Sequence, residues 1–472
     1  MAMGDEEESI WGRAKPSLAP PGCRGAAAPD GCPLLSGGDG SGDGTGRGRG
    51  RRYNPGMTDP HDSPPLSPDR TGPPAGDREA GAGASDHGAV AAVRAAIAEA
   101  GGRITFARFM AIALYHPEHG YYLSEARRPG RGGDFLTAPE THPFFGVALS
   151  RQVAEAWERL GRPGRFVVRE HGAGVGGLAY DILVGIAQEA PALLDAIDYR
   201  LVEPNRHRVL QALAAMDEVG FGGLVRGEEP PAAGGALPPE DGFLLANEVP
   251  DALPAHRLVW QGGEPRERWV VWQGDGFGEE TGPLSADAAA FDPAGRLARA
   301  GVRLAEGDRF EVSPAATAWM AAAAAGLRRG YALVVDYGYD TAELYRGHRL
   351  GGTVRAHRGH RVTDDPFAAV GEADLTAHVD FGALRQAGEA AGLTFAGLTT
   401  QGALLASLDM GDLLVGLGRD PATTAAEYVA AQAATIRLID PGGMGRFRAL
   451  LMARDAPVEP PLRGLRERGP AF

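Results

Sequence analysis

Apolar residues follow two kinds of pattern along this chain, one typical of helices and one typical of strands. The two kinds of segment alternate, which predicts an α/β protein. Apolar residues recur three and four positions apart in segments that we expect to be helices: Ala89–Gly102, Phe106–Tyr115, Phe144–Leu160, Gly177–Gln188, Arg206–Met216 and Thr317–Gly330. Short apolar runs of strand length stand among them: Phe166–Glu170, Tyr199–Glu203, Phe243–Glu248, Ala332–Asp336 and Phe447–Ala453. Strands that alternate with helices predict a largely parallel, doubly wound sheet.

The segment before the first predicted helix has a composition that does not support a folded core. Residues 1–86 contain 18 glycines and 12 prolines, so we expect a disordered N-terminal tail. The rest of the chain is expected to comprise a helical region (87–163), the α/β domain (164–455) and a C-terminal tail (456–472). Two stretches of the domain, at about 257–311 and 344–440, are interpreted as insertions, and the first opens on a predicted hairpin.

Charge and cysteine content narrow the class of protein. The formal net charge of −14 at pH 7 disfavours binding to the phosphates of nucleic acids. Both cysteines, Cys23 and Cys32, lie in the predicted tail, which excludes a disulfide framework and cysteine-based catalysis in the folded part. No apolar run reaches the ~18 residues of a membrane span, so we expect no membrane insertion. The acidic start lacks the basic flank and apolar core of a signal peptide, which predicts a cytoplasmic protein.

The strongest chemical signal is EHGAGVGG, from Glu170 to Gly177, at the junction of a predicted strand and helix. This order of elements brings backbone N–H groups close to a ligand at a helix N-terminus. Gly172, Gly174 and Gly177 fit the GxGxxG pattern of dinucleotide-binding proteins. Gly172, Gly174 and Gly176 fit the ExGxGxG pattern of methyltransferases that use S-adenosylmethionine. In a glycine-rich sequence, an ordinary strand–helix turn is a third interpretation.

Two acidic residues bear on the choice between these cofactors. Glu170 precedes the turn, where its charge would repel a diphosphate but not a cofactor that carries an ammonium and a sulfonium. Glu203 ends the second predicted strand, where a carboxylate can accept hydrogen bonds from both ribose hydroxyls. That role serves NAD and S-adenosylmethionine equally, and a solvated strand end is the alternative interpretation of Glu203.

A second polar segment, NEVPDALP, follows a predicted buried strand. Ligands of open α/β sheets bind beyond the carboxyl ends of the strands. We therefore expect Asn247, Glu248 and Asp251 to face the same crevice as the glycine turn. The alternative is a structural role, because asparagine and aspartate are common turn residues.

A cluster of histidines raises the question of a metal site. The residues concerned are His357, His360, His378, Asp374 and Asp380. His357 and His360 have a spacing that suits metal ligands on a helix, but the glycine and arginine around them disfavour a helix. We predict no metal and a structural role for these segments.

The strings described so far, with several others, resemble the MidA-type family of S-adenosylmethionine-dependent methyltransferases. The matching strings run from about Ile104 to Gln401 and are ITFARFMAIALYHPEHGYY, GGDFLTAPETHPFFG, REHGAGVGGLAYDIL, LVEPN, NEVPDALP, VVDYGY, GGTVRAHRGH and DLTAHVDF. The resemblance implies a class I methyltransferase fold with an inserted substrate-covering region and S-adenosylmethionine as cofactor. It also implies methyl transfer to an arginine of a protein partner, such as a subunit of a respiratory complex.

The resemblance carries roles over to individual residues. Those that it implies for cofactor binding are Gly133, Asp134, Phe135, Glu170, Gly172, Gly174, Gly176, Glu203 and Asn247. It places Glu248 and Asp251 beside the reacting centre as the catalytic pair. Two carboxylates that hold a guanidinium would keep its positive charge away from the attacking nitrogen, which is otherwise a poor nucleophile.

The glycine motif departs from the family pattern, ELGPGRGT, while it keeps the glycine frame. The changed positions are His171, Ala173, Val175 and Gly177. Two alternative functions therefore remain open at this point. One is a non-catalytic assembly chaperone that retains the fold, and the other is an NAD-dependent oxidoreductase.

Overall fold

The structure is a computed structural model that describes residues 88–123, 137–232, 234–359 and 361–466. Its strands are β1 (Arg103–Thr105), β2 (Phe166–His171), β3 (Ile197–Val202), β4 (Val225–Glu228), β5 (Glu240–Asn247), β6 (His256–Gln261), β7 (Glu264–Gln273), β8 (Gly276–Gly282), β9 (Arg309–Val312), β10 (Leu327–Asp336), β11 (Gly338–Tyr339), β12 (Arg355–Arg358), β13 (Arg361–Thr363), β14 (Asp374–Thr376), β15 (Val379–Asp380), β16 (Thr394–Thr400) and β17 (Arg448–Arg454). Its α-helices are α1 (Ala89–Glu99), α2 (Phe106–Tyr115), α3 (Ala138–Thr141), α4 (Phe144–Arg159), α5 (Gly177–Glu189), α6 (Arg206–Glu218), α7 (Ala286–Ala290), α8 (Pro293–Arg299), α9 (Pro314–Ala325), α10 (Thr341–Leu344), α11 (Phe381–Ala390), α12 (Gln401–Ser407), α13 (Met410–Arg419) and α14 (Ala425–Ile439). The predicted tail, residues 1–86, lies outside the described residues.

Seven strands form the sheet that carries the candidate site. Their order is β16-β17-β10-β5-β2-β3-β4. Strand β17 is antiparallel to both of its neighbours, and the other pairs are parallel. This topology confirms the predicted doubly wound α/β fold. Chain order reverses between β2 and β5, so a ligand crevice is expected at the carboxyl ends of these two strands.

Helices cover both faces of this sheet. On one face, α4 and α5 pack against side chains such as Phe166, Val168 and Leu245. On the other face, α9 and α11 pack against Leu244 and Val334. Every residue of β2 and β3 is buried, as is usual for central parallel strands, and charged residues among them such as Arg169, Asp198 and Arg200 form ion pairs.

A second, smaller sheet unites segments that are far apart in the sequence. Strand β1 pairs with β7, β7 pairs with β6 and β8, and β6 pairs with β9. The hairpin predicted within residues 257–273 is thus present, and the region predicted as helical contributes its strand β1 to the same sheet. One apolar core joins α1 and α2 to this sheet and to β12 and β14.

Several elements differ from the predicted ones for physical reasons. The helix predicted over Thr317–Gly330 ends at Ala325, because β10 begins at Leu327 and extends along β5. The apolar pattern does not predict the edge strands β4 and β16, which are only partly buried. Within the stretch of about 344–440, α11 and β16 pack on or pair with the main sheet rather than forming an inserted region.

Candidate active site

The glycine turn follows β2 directly and holds three glycines in the left-handed region of the backbone. The φ angles of Gly172, Gly174 and Gly176 are 68°, 55° and 81°. A Cβ on Gly172 would lie 2.6 Å from a methyl of Val249, and one on Gly176 would lie 2.9 Å from the Cβ of Ala212. A Cβ on Gly174 would meet no atom of the described residues within 4 Å, so among these residues Gly174 borders open space near the start of α5.

Glu203 supports this turn from the end of the neighbouring strand, β3. Its Oε2 accepts a hydrogen bond of 3.0 Å from the N–H of Gly174, and its Oε1 accepts one of 3.0 Å from the N–H of Asn205. The side chain is buried. Each carboxylate oxygen retains a second lone pair. The acid is thereby fixed beside Gly174, where its predicted contacts with ribose hydroxyls would be made.

Glu170 has its carboxyl group in the protein core. Its Oε2 accepts a hydrogen bond of 2.6 Å from the hydroxyl of Tyr199. Burial and the charge of Glu203 together raise the pKa of Glu170 to about 8, although the hydrogen bond from Tyr199 lowers it. The predicted role of Glu170 near the cofactor stays a prediction, because the contact shown is with a core tyrosine.

Glu248 follows β5 with a left-handed backbone. Its φ of 52° is unusual for a residue other than glycine, and such strain persists mainly at functional positions. Its Oε1 accepts hydrogen bonds of 3.0 Å from the N–H of Ala138 and from Nδ2 of Asn247. Burial raises the pKa of Glu248 to about 7, although both hydrogen bonds lower it.

Asp251 faces a second buried carboxyl group, that of Asp336 at the end of β10. The N–H of Asp251 donates a hydrogen bond of 3.2 Å to Oδ2 of Asp336. Burial raises the pKa of Asp251 well above its usual range, and the charges of Asp336, Asp374 and Glu248 raise it further. Burial likewise raises the pKa of Asp336. The sequence-based analysis missed Asp336, although a charged residue that ends an apolar strand is a signal for it.

Asp374 and two tyrosines approach the same place from the smaller core. The hydroxyl of Tyr122 donates a hydrogen bond of 2.8 Å to Oδ1 of Asp374. The rings of Tyr115 and Tyr122 stack with centroids 5.5 Å apart, and the hydroxyl of Tyr115 donates to the carbonyl of Ala252 at 3.1 Å. The sequence indicates Asp374 only as a candidate metal ligand, and no local spacing links it to these tyrosines. We call Glu248, Asp251, Asp336 and Asp374 the acidic cluster.

Asn247 completes the described part of the predicted site. While its Nδ2 donates to Glu248, its Oδ1 is buried and has no hydrogen-bond partner among the described residues. A buried acceptor without a donor costs free energy, so this oxygen suits an N–H group of a ligand. Three further residues that the sequence predicts for the cofactor, Gly133, Asp134 and Phe135, lie outside the described residues.

The arrangement fits a nucleoside cofactor next to a cationic substrate. Gly174 leaves room for close approach to the backbone, Glu203 offers acceptors for hydroxyl groups, and Asn247 offers a buried acceptor. Glu248, Asp251 and Asp336 lie at the carboxyl ends of the neighbouring strands β5 and β10, and Asp374 approaches them from β14 of another sheet. Burial raises the pKa values of Glu248, Asp251 and Asp336, and the charges of neighbouring acids raise them further, so a bound cation would stabilise their charged forms.

Two of these histidines contact other side chains, and their structural role stays a prediction. Nε2 of His357 lies 3.3 Å from Oγ1 of Thr376, and the ring of His378 packs edge-on against Tyr337. His360 lies outside the described residues. Over residues 88–123, 137–232, 234–359 and 361–466, no three histidine, cysteine or acidic side chains are grouped as a metal site. In the same ranges, every helix is too short or too polar to cross a membrane.

Comparisons with known proteins agree with this fold. A family of S-adenosyl-L-methionine-dependent methyltransferases matches residues 148–399, more than half of the chain. A crystal structure from Burkholderia thailandensis with S-adenosyl-homocysteine bound has a TM-score of 0.70 and 34% identity. It covers 80% of this chain and 94% of its own.

Curated relatives extend the comparison to eukaryotes. The mitochondrial protein arginine methyltransferase NDUFAF7 of Bos taurus is 31% identical over 60% of this chain and 65% of its own length. The Drosophila melanogaster homologue, also named as mitochondrial, is 28% identical over 72% of this chain and 78% of its own. The chain thus spans just under two thirds of the bovine relative.

The predicted cytoplasmic location is wrong by this comparison, because these relatives are named as mitochondrial proteins. The prediction depended on the lack of a secretory signal peptide. That criterion distinguishes secreted from non-secreted proteins, but it does not distinguish a cytoplasmic protein from a mitochondrial one. The family prediction, in contrast, is confirmed. The family matches more than half of the length of this chain, and the Burkholderia thailandensis structure is 34% identical to it. The chain therefore belongs to the family of S-adenosylmethionine-dependent methyltransferases.

Proposed function

We propose that this chain is a protein arginine methyltransferase that uses S-adenosylmethionine. The observation that carries the proposal is the acidic cluster beside the glycine turn. Among the described residues, no arginine or histidine forms an ion pair with Glu248, Asp251 or Asp336. Buried carboxylates without a cation destabilise a fold, and a guanidinium group from a substrate would compensate them.

The names of the relatives support arginine as the target and a protein as the partner. Both the bovine and the fly relatives are named protein arginine methyltransferases. Because the chain spans less than two thirds of the bovine relative, its activity, substrate and partner belong to the proposal. A respiratory complex subunit, which the family resemblance implies, is one candidate substrate.

The cofactor would be held by residues at the ends of β2, β3 and β5. Glu203 would accept hydrogen bonds from ribose hydroxyls, Gly174 would allow close approach to the backbone, and Oδ1 of Asn247 would accept an N–H group. When bound, S-adenosylmethionine supplies an electrophilic methyl group on a sulfonium. The protein's own contribution is to position the nucleophile and to stabilise charge.

Glu248 and Asp251 are the candidates for holding the guanidinium. Charge-assisted hydrogen bonds from two of its nitrogens would keep the positive charge away from the third, which attacks. The attacking nitrogen must lose a proton when it gains the methyl group. With a pKa of about 7, Glu248 is suited to accept that proton near neutral pH, before it passes to water.

The test adds labelled S-adenosylmethionine to a lysate from a strain that lacks this protein and analyses protein hydrolysates for methylarginine. We expect labelled methylarginine with the wild-type chain. Glu248→Gln and Asp251→Asn each remove a charge, which costs on the order of 2–4 kcal/mol and reduces transfer by roughly 30- to 1,000-fold. Cofactor affinity, measured by calorimetry, should change by less than about threefold.

A matched control is Asp181→Asn, which neutralises another buried carboxyl group, on a helix turn that packs against α4 rather than in the acidic cluster. This variant should retain transfer. Cofactor binding without transfer to any protein would indicate the assembly chaperone instead. Binding of NAD in place of S-adenosylmethionine would indicate the oxidoreductase.

A further inference from the structure

Tyr115 and Tyr122 form a stacked pair between two parts of the acidic cluster. The Tyr122 hydroxyl donates to Asp374, and the Tyr115 hydroxyl donates to the carbonyl of Ala252, the residue after Asp251. The ring planes are 24° apart with centroids 5.5 Å apart. The pair therefore connects the acid on β14 with the turn that carries the candidate catalytic acids.

The same pair is held in place from the cofactor side. The carbonyl of Tyr122 accepts a hydrogen bond of 2.9 Å from Nδ2 of Asn205. The N–H of Asn205 donates to Oε1 of Glu203, the candidate ribose ligand. A continuous series of contacts thus runs from Glu203 through Asn205 and Tyr122 to Asp374.

The electrostatic surroundings of the pair favour a cation. Burial raises the pKa of Tyr115, and the charges of Asp374, Asp251 and Glu203 raise it further, so this tyrosine lies in the negative field of acids from the acidic cluster and from the proposed cofactor side. Aromatic faces attract cations, and a planar guanidinium stacks on them and bonds carboxylates in a fork. An ammonium group lacks this planar geometry. An aromatic wall formed by the rings of Tyr115 and Tyr122 would therefore discriminate between arginine and lysine.

Building on the proposed function, we propose that Tyr122 and Asp374 are specificity-determining residues that select a guanidinium over an ammonium. Asn205 is their positioning residue. Its Oδ1 caps α6 by accepting from the N–H groups of His207 and Arg208, while only its Nδ2 reaches Tyr122. Serine at position 205 would keep the cap and lose the contact with Tyr122.

The experiment measures the binding of two fluorescein-labelled pentapeptides, Gly-Gly-Arg-Gly-Gly and Gly-Gly-Lys-Gly-Gly, by anisotropy in the presence of S-adenosyl-homocysteine. We expect the wild-type chain to prefer the arginine peptide by at least about tenfold, which is about 1.4 kcal/mol. In Tyr122→Phe, Asp374→Asn and Asn205→Ser the preference should fall below about threefold. The affinity for S-adenosyl-homocysteine, measured separately by calorimetry, should stay within about threefold of wild type.

The matched control is Tyr331→Phe, which removes another buried hydroxyl, bonded to the carbonyl of Pro457 in the main core. This variant should keep the full preference and so exclude a general effect of lost stability. The inference is overturned if the wild-type chain does not distinguish the peptides, or if Tyr122→Phe and Asp374→Asn both keep its preference. Methylarginine formation by the wild-type chain is scored independently, so the proposed function can stand when this inference fails.

Discussion

Glu248 combines two unfavourable features in a single residue, a left-handed backbone and a buried carboxyl group. The pKa of this group is about 7 in the folded chain, against about 4.3 for an unfolded glutamate. The folded state therefore binds the proton more tightly. The stability that this proton contributes is present at low pH and is lost as pH rises from about 4.3 through about 7.

This linkage predicts how Glu248→Gln changes thermal stability. Because glutamine does not ionise, the ligand-free variant should melt near the wild-type temperature at pH 5 and at a higher temperature than wild type at pH 8. Methyl transfer by the wild-type chain should rise with pH through about 7, and the variant should lack that rise. Thermal melts and transfer rates from pH 5 to 8 measure both effects. A difference in melting temperature that does not depend on pH would contradict the prediction.

Gly174 offers a direct test of the cofactor turn. In Gly174→Ala, a Cβ enters the open space beside Glu203 and the residue keeps a positive φ, at a backbone cost of roughly 1–2 kcal/mol. We expect the affinity for S-adenosyl-homocysteine to fall at least about tenfold by calorimetry.

Gly220→Ala is the matched control for that variant. Gly220 has a φ of 83°, and a Cβ there also meets no atom within 4 Å in the part of the chain that the structure describes, but Gly220 follows α6 away from the turn. Both variants should lose similar stability, and only Gly174→Ala should lose the ligand. Equal ligand affinity in the two variants would remove the glycine turn from the cofactor site.

Some residues of the candidate site can be predicted from the sequence and others cannot. Glu203 and Glu248 stand at strand ends next to recognisable turns, so their shared position at one sheet edge follows from topology. Asp374 and Tyr122 are 252 residues apart and meet only through tertiary packing. Periodicity describes local structure, so it carries no information about such a pair.

At the scale of elements, α2 matters because it carries Tyr115 to the site. Its Phe109 packs edge-on against Phe277 and Phe367, with ring centroids 5.7 and 5.0 Å apart. The helix is thus anchored on residues from two other segments of the chain. Its orientation, and with it the aromatic wall, depends on that anchor.

We therefore predict that Phe109→Ala weakens the substrate side of the site more than the cofactor side. The loss of a buried phenylalanine costs about 3–5 kcal/mol of stability. The control is Phe310→Ala, because Phe310 is a buried residue of another cluster and packs on Tyr345. Phe109→Ala should reduce methyl transfer more than Phe310→Ala does. Thermal melts, transfer rates and cofactor titrations of the two variants make the comparison. Equal effects on transfer at matched stability would show that α2 has no special role.

The elements themselves were predictable where their apolar pattern was strong. Strands β2, β5 and β10 lie in the middle of the sheet and are buried, and each contains a continuous apolar run. Strand β3 is also buried, although it includes Asp198 and Arg200, which form an ion pair. Strands β4 and β16 lie at the edges of the sheet, where partial burial leaves no such run. The end of α9 was misplaced because alanine suits a helix in any position, while the start of β10 depends on pairing with β5.

At the scale of the whole molecule, the two halves of the candidate site have different origins in the chain. The described residues that we propose for cofactor binding lie between Gly172 and Asn247, within one run of strands and helices. The acidic cluster and its tyrosines extend from Tyr115 to Asp374 and draw on both the main sheet and the smaller core. The family resemblance and the strand–helix alternation predicted the fold. The helices of the smaller core were predicted as well, but the way in which its distant segments pack together follows from tertiary contacts that a local pattern does not show.

This difference has a consequence for the order in which the protein matures on the ribosome. The strands around Gly174 and Glu203 pair with strands that are near in the sequence and emerge early from the ribosome. Tyr122 can bond its partner, Asp374, only after another 252 residues have been synthesised. Contacts between distant parts of a chain form slowly because closing the intervening loop is entropically costly. A nascent chain can therefore begin to assemble the proposed nucleoside half of the crevice before Asp374 has emerged to meet Tyr122, and the proposed selectivity for a guanidinium can arise only after that contact has formed.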